Sequence, residues 1–179
     1  MSFRPPAPVS EPAEAAALAN AGLVLLWPFL PTLFERLGYL AQQQFQDAAR
    51  AARAVHLLQF LATGEEPPPA SRLLLNQLLC GVEPGGSLAG EPALTDAEKA
   101  TGEDLLRAVL SRWEVLKNTS IAGLRETFLQ RAGKLTWFPD RVTLTVETKT
   151  LDILLDQRPW SIALIKLPWM TRPLYVNWR

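Results

Sequence analysis

Few residues of this sequence could perform chemistry, and the closest pair is two carboxylates near the C-terminus. Asp152 and Asp156 would share a face if the segment between them is helical. Two neighbouring carboxylates can act as general acid and base once the pKa of one is raised. The alternative is that a nearby lysine or arginine neutralises them and that the pair is structural.

Lys166 is the cation in the most apolar surroundings, between Ile165, Leu167 and Trp169. An ammonium group that is buried without a partner is costly. We therefore predict that Lys166 forms an ion pair with Asp152 or Asp156.

Other reactive groups are isolated. The chain has one histidine, His56, and one cysteine, Cys80, which removes most zinc sites, catalytic triads and internal disulfides. Gly85 and Gly86 are not followed by the Gly-Lys-Ser/Thr of a phosphate-binding loop. We expect no metal, no cofactor and no catalytic site.

Charge and composition exclude further classes. The 18 basic residues equal the 18 acidic ones, so no overall field attracts nucleic acid, and we expect none to bind. Apolar residues form 48% of the 179-residue chain, which is typical of a folded domain. The first residues lack the basic and apolar regions of a secretory signal, so a protein made and kept inside the cell is the default expectation.

The elements that must position these residues divide into three regions. Residues 1–13 carry four prolines and predict a disordered leader, 14–132 predict a helical part, and 133–179 predict a β-rich part packed on it. Thr95 and Glu98 form a capping box that begins a helix reaching about residue 116. The other predicted helices span about 14–27, 29–37, 40–62 and 72–80, with a short one carrying Leu124, Phe128 and Leu129.

Residues 15–34 carry no charge and are as long as a membrane span, although Pro28 and Pro31 break them. Their apolar run must be enclosed by the fold, by a partner, or less plausibly by a membrane.

After Gly133 the spacing of apolar residues changes from the helical pattern to an alternating one. Val142, Leu144 and Val146 alternate with polar residues and predict a strand, with 135–138 as its hairpin partner. Residues 162–167 predict a central strand, and 174–178 a last one. The fold class is therefore α+β: five to six helices, then a small antiparallel or mixed sheet.

Several longer strings are more specific than composition, such as NAGLVLLWPFL at 20–30 and WEVLKNTS at 113–120. Further strings lie at 33–38, 53–64, 73–81, 123–131, 150–156, 164–170 and 173–178. In this order they resemble the terminal homology region of tape measure proteins of bacterial contractile injection systems.

The resemblance implies a structural component of a phage-tail-like particle, made in the cytoplasm and then retained in the particle, with no catalytic residues. Family members are usually several times longer and set the length of the tube. Even as one helix, 179 residues would reach only about 270 Å. We therefore expect this chain to act as a docking end, homo-oligomeric in the particle, that binds tube, hub or cap proteins.

Two other functions stay open at this stage: a membrane-active segment released on firing, and a small enzyme using Asp152 and Asp156. For the docking function, the candidate contacts are the large apolar side chains of the 15–34 segment and of the C-terminal region. They are Leu23, Leu26, Trp27, Phe29, Trp169, Tyr175 and Trp178.

Overall fold

A computed structural model describes residues 14–67, 73–83 and 93–178. The predicted leader, residues 1–13, lies outside the described residues. The α-helices are α1 Leu30–Arg36, α2 Ala48–Thr63, α3 Leu74–Leu79, α4 Asp96–Arg112 and α5 Ile121–Leu124. Three 3-10 helices, Ala21–Phe29, Glu114–Leu116 and Thr150–Gln157, and a π-helix, Arg125–Leu129, complete the helical part.

The strands form one mixed sheet and one short hairpin. The sheet contains β1 Glu14–Leu18, β4 Gly133–Trp137, β5 Val142–Val146, β6 Leu164–Ile165 and β7 Leu174–Asn177; the hairpin contains β2 Leu40–Ala41 and β3 Gln44–Phe45. The sheet order is β1-β4-β5-β7-β6. Only β5 and β7 run parallel, and the other neighbours are antiparallel. The α+β prediction with a mixed sheet is confirmed.

The first strand corrects the predicted helix at 14–27. Residues 14–18 read Glu-Ala-Ala-Ala-Leu, and alanine is the strongest helix former. In the structure they pair with β4 along the edge of the sheet, with Ala16 and Leu18 packed against the core. Tertiary pairing overrides local propensity here, and the sheet therefore draws a strand from the region predicted to be helical.

The apolar run that follows is enclosed by the fold itself. The 3-10 helix Ala21–Phe29 buries every residue from Ala21 to Leu26, so the core interpretation of this run holds. It approaches the π-helix so closely that a Cβ on Gly22 would lie 1.7 Å from the carbonyl oxygen of Phe128. Only glycine fits at this crossing.

The helix predicted at 40–62 begins later than expected. Residues 40–45 form the β2–β3 hairpin, turned by Gln42 and Gln43, which both have positive φ angles of 51° and 64°. Glutamine rarely adopts this conformation, so nothing in the sequence signals the turn. Helix α2 then begins after its N-cap Asp47, whose carboxylate accepts a hydrogen bond from the amide of Arg50 at 2.8 Å, and Gly64 terminates it as predicted.

Helix α4 follows the sequence most closely. Thr95 and Glu98 make both bonds of the capping box. The apolar stripe of α4 and the turn after it is buried throughout: Leu105, Leu106, Val109, Leu110, Trp113 and Leu116. By contrast, the predicted central strand at 162–167 is a two-residue edge strand, because β7 lies between β6 and β5.

Candidate functional site

The carboxylate that was a candidate catalytic residue is part of a buried ion pair. Asp152 and Arg131 are both fully buried, and one guanidinium nitrogen, Nη1, lies 2.8 Å from each carboxylate oxygen of Asp152. The Trp178 indole and the Lys149 amide also donate to Asp152 Oδ2, at 3.0 and 2.9 Å. The other Arg131 terminal nitrogen donates to the Thr127 carbonyl at 2.8 Å. This cluster joins the π-helix, the 150–157 helix and the end of β7.

The environment of Asp152 favours its ionised form. Burial alone would raise the pKa of Asp152, but hydrogen bonds from the Lys149 amide, the Trp178 indole and Arg131 lower the pKa below its usual range. A carboxylate that is ionised, saturated with donors and closed to solvent is a poor general acid. The arrangement is that of a structural ion pair.

Asp156 does not complete an acid–base pair with Asp152. In a 3-10 helix, residues three apart share a face and residues four apart do not. Asp152 and Leu155 therefore point inward, while Asp156 is exposed. The geometry gives no support to the hypothesis of an enzyme that uses this pair.

The predicted ion pair of Lys166 is also wrong for Asp152. Arg131 is the cation that pairs with that carboxylate. Lys166 is exposed at the sheet edge, and its ammonium donates to the carbonyl of Met170. An edge position leaves the ammonium in contact with water, so burial imposes no need for a carboxylate.

A second polar network was not predicted. Glu98 closes the capping box of α4 and also accepts hydrogen bonds from Arg53 on α2 and from the Tyr39 hydroxyl. Arg53 Nε lies 2.9 Å from Glu98 Oε2, and the Thr95 amide lies 2.9 Å from Glu98 Oε1. The capping box could be predicted because its two residues are close in sequence. Arg53 and Tyr39 lie 45 and 59 residues from Glu98, so no local pattern indicated that they bind it.

The network shifts two pKa values in opposite directions. Burial would raise the pKa of Glu98, but the bonds from Arg53, Thr95 and Tyr39 lower it from 4.5 to about 2. Burial, together with the adjacent Glu98 carboxylate, raises the pKa of the Tyr39 hydroxyl above its usual value. The network therefore stabilises the fold only while Glu98 is ionised.

Replacing Glu98 with glutamine should make stability less dependent on acid pH. Because the folded pKa of Glu98 is lowered, its contribution is complete above pH 4.5 and is lost as pH falls towards 2. We expect Glu98→Gln to reduce the free energy of unfolding by about 3 kcal/mol at pH 7, and by much less near pH 2. Urea unfolding at pH 7, 4 and 2.5 measures the difference. Glu103→Gln, which removes a more exposed pair with Arg107, should cost under about 1 kcal/mol; an equal loss in both variants would contradict the prediction.

Four of the predicted partner contacts belong to the core. Leu23 and Leu26 are fully buried, and Trp169 and Trp178 are nearly so. The Trp169 ring packs 5.6 Å from Phe34, and its indole donates to the Leu79 carbonyl at 2.7 Å. These four side chains have no surface to offer a partner in this fold, which corrects the expectation that they bind one.

The other three candidates remain accessible. Trp27 and Phe29 are half-buried at the end of the 3-10 helix, and the Trp27 indole donates to the Ser161 carbonyl at 2.8 Å. Tyr175 is 42% exposed on the outer face of the sheet, opposite Leu164 on β6, which is 49% exposed. Leu164 was not a candidate, because a strand apolar on both faces was expected there.

Phe29 opens onto a groove of about 390 Å³. Three parts of the fold line the groove: the 3-10 helix together with α1, helix α4, and the Pro159–Trp160 segment. The Trp160 ring packs edge to face on Phe29 at 5.2 Å, and its indole donates to the Leu25 carbonyl at 3.0 Å. These two contacts hold Trp160 in position as one wall of the groove. This groove is the candidate binding cavity.

The remaining chemistry is limited. In the described part of the chain, no group of three His, Cys, Asp or Glu side chains is placed to hold a metal ion. Burial raises the pKa of the Cys80 thiol well above its usual value, which disfavours the reactive thiolate. Among residues 14–67, 73–83 and 93–178, no helix has the length and hydropathy needed to cross a membrane.

Comparison with known proteins gives one match. A family model described as "Contractile injection system tape measure protein" matches residues 4–178. No curated protein and no solved structure matches the chain. The matched region takes in the sheet, the helices, the buried ion pair and the groove.

Proposed function

Because the chain belongs to the contractile injection system tape measure protein family, we propose that it is a non-enzymatic docking component of the injection particle. It binds a component at the tube end or the baseplate hub during assembly. Assembly takes place in the bacterial cytoplasm, and the protein then stays within the particle. The family match over residues 4–178 is the observation that carries this proposal.

The shape of the described residues favours docking over measurement of length. One hydrophobic core runs from Ala21 to Trp178 and holds helices and sheet together. The longest helix, α4, has 17 residues and so spans only about 25 Å. These residues provide a compact body with defined surfaces, which suits recognition of a neighbouring protein.

The docking surface that we assign to this function is the aromatic patch, defined as Phe138, Arg141, Leu164 and Tyr175. The Arg141 guanidinium lies 4.9 Å from the Phe138 ring centroid and 6.0 Å from that of Tyr175. Leu164 lies opposite Tyr175 on the neighbouring strand. Aromatic and arginine side chains carry most of the binding energy at protein interfaces, and a rigid sheet holds these in place.

Introducing negative charge at the centre of the aromatic patch should block particle assembly. In a bacterium that lacks the native gene and carries the Tyr175→Asp and Leu164→Asp double variant, we expect few or no particles by negative-stain electron microscopy. Loss of two hot-spot side chains weakens an interface by about 30-fold or more. Asn177→Asp, on the same strand and the same face, is the matched control and should support normal assembly.

Normal particles from the double variant would contradict the assignment of the patch. Normal particles from a strain with no copy of the gene would contradict the docking function as a whole. We expect the double variant to fold, because both replaced side chains are exposed. Circular dichroism of the purified variant checks this.

A further inference from the structure

The groove has an apolar floor with two arginines on its rim. Its lining includes Phe29, Leu33, Leu105 and Trp160, and the cavity is large enough for two branched side chains. Such a cavity exposes apolar surface that is suited to an apolar knob from another molecule.

The rim charges favour an acidic occupant. Arg36 ends α1 and Arg112 ends α4, and both line the groove. Within the part of the chain that the structure describes, neither arginine has an ion-pair partner. The rim carboxylate, Asp104, is already bonded to Arg107 at 3.0 Å. An occupant with apolar side chains followed by a carboxylate fits this pattern of charge.

The same chain presents such a feature on its own surface. In the Thr150–Gln157 helix, Asp152 and Leu155 are buried and Leu154 is half-buried against the core, whereas Leu151, Ile153 and Asp156 are exposed. These three exposed side chains form the ridge. Leu151 is 53% exposed and Ile153 is 58% exposed, the largest exposures among the big apolar side chains of the described residues. Asp156 lies one 3-10 turn after Ile153 and is exposed.

Ridge and groove are neighbours on the surface. The ridge helix leads through Arg158 directly into Pro159 and Trp160, which form a wall of the groove. The Arg158 side chain donates to the carbonyls of Leu155 and Trp160, at 2.7 and 2.6 Å, and so holds the two features in a fixed relation. Because the two complementary features are adjacent, two copies can pair about a two-fold axis, with the ridge of each copy in the groove of the other.

We propose that two copies of this chain associate reciprocally, with Leu151 and Ile153 of each copy filling the groove of the other and Asp156 facing Arg36 and Arg112. A nucleic acid is a poorer fit, because the groove carries only two unpaired cations and the chain has no net charge. This contact goes beyond docking to another particle component, and it uses a surface separate from the aromatic patch.

Two complementary variants test the contact on purified protein. Ala108 is an exposed residue of the groove lining, so Ala108→Trp blocks the groove and leaves the ridge intact. Ile153→Asp breaks the ridge and leaves the groove intact. Sedimentation velocity at increasing concentration should show a monomer–dimer equilibrium for the wild type, and each variant should raise the dimer dissociation constant at least 10-fold.

Mixing gives the decisive result. A one-to-one mixture of the two variants has one intact ridge and one intact groove that can meet, so it should form dimers at concentrations where each variant alone is monomeric. The matched controls are Ala100→Trp, on α4 outside the groove lining, and Thr148→Asp, at an exposed position ahead of the ridge helix. Both should dimerise like the wild type. Arg36→Glu combined with Arg112→Glu should weaken the dimer.

Three results would overturn the proposal: a wild type that stays monomeric at about 1 mM, a dimer that tolerates either blocking variant, or a mixture that remains monomeric. A wild type that forms open chains in place of pairs would also overturn it. None of these results bears on the docking function, because that is read from particle assembly with the Tyr175 and Leu164 variant.

Discussion

Replacing Gly22 with alanine should strongly destabilise the native state. A Cβ at this position would lie 1.7 Å from the Phe128 carbonyl oxygen and 2.6 Å from the Leu129 Cα. Both atoms belong to the backbone of the π-helix, so no side chain can rotate away. The 3-10 helix Ala21–Phe29 must separate from the π-helix, and the buried run from Leu23 to Leu26 loses its packing.

We expect a cost above about 3 kcal/mol, beyond ordinary overpacking, out of the 5–15 kcal/mol that typically stabilise a domain. The urea midpoint, followed by tryptophan fluorescence, measures it. The matched control is Gly123→Ala. A Cβ at Gly123 meets only the side chains of Thr119 and Ser120, at 3.0 and 3.2 Å, and these can adjust. Its stability should stay within about 1 kcal/mol of the wild type. A Gly22→Ala variant with an unchanged midpoint would show that the two helices do not cross as described.

Replacing Asp152 with asparagine should be almost as damaging, for an electrostatic reason. The substitution keeps the shape of the side chain and removes the charge that neutralises Arg131, which is fully buried. Breaking a buried ion pair by removal of one partner costs about 3–5 kcal/mol, because the other charge stays in a medium that solvates it poorly. Arg131 Nε already has no hydrogen-bond partner among the described residues, so loss of the carboxylate charge leaves the buried guanidinium poorly compensated.

Asp156→Asn is the matched control, on the same helix but exposed, and it should change stability by less than about 0.5 kcal/mol. Replacing both members, as Arg131→Met with Asp152→Leu, should recover much of the loss, since no charge is then left alone. Equal effects of Asp152→Asn and Asp156→Asn in urea unfolding would rule out the ion pair as a source of stability.

The sequence predicted best where a local pattern determines the structure. The capping box at Thr95, the buried stripe of α4 and the alternation in β5 and β7 each depend on residues a few positions apart. Strand β1 failed this test, because its alanines favour a helix and only β4, more than a hundred residues later, makes them a strand.

The candidate residues show the same division. Hydropathy around Lys166 predicted a buried cation, but the buried cation is Arg131, whose flanking residues include Gln130 and give no sign of burial. An apolar run such as 23–26 is consistent with a core and with an interface, and only the helices and the strand that pack on it decide for the core. The ridge was missed because 151–155 is a short, ambiguous apolar piece, and its outward side chains cannot be identified until the pitch of the helix is known.

The pairing of β1 with β4 also sets when this domain can fold during synthesis. The first described strand must wait for residues 133–137, and the hydrogen bonds to Asp152 in the buried ion pair are completed only when Trp178 arrives. Until residues 133–178 have left the ribosome, the apolar segment after β1 lacks part of its cover, and a nascent chain in that state is prone to aggregate. A cell that makes this protein therefore gains from rapid translation of its last third or from a chaperone that shields the segment meanwhile.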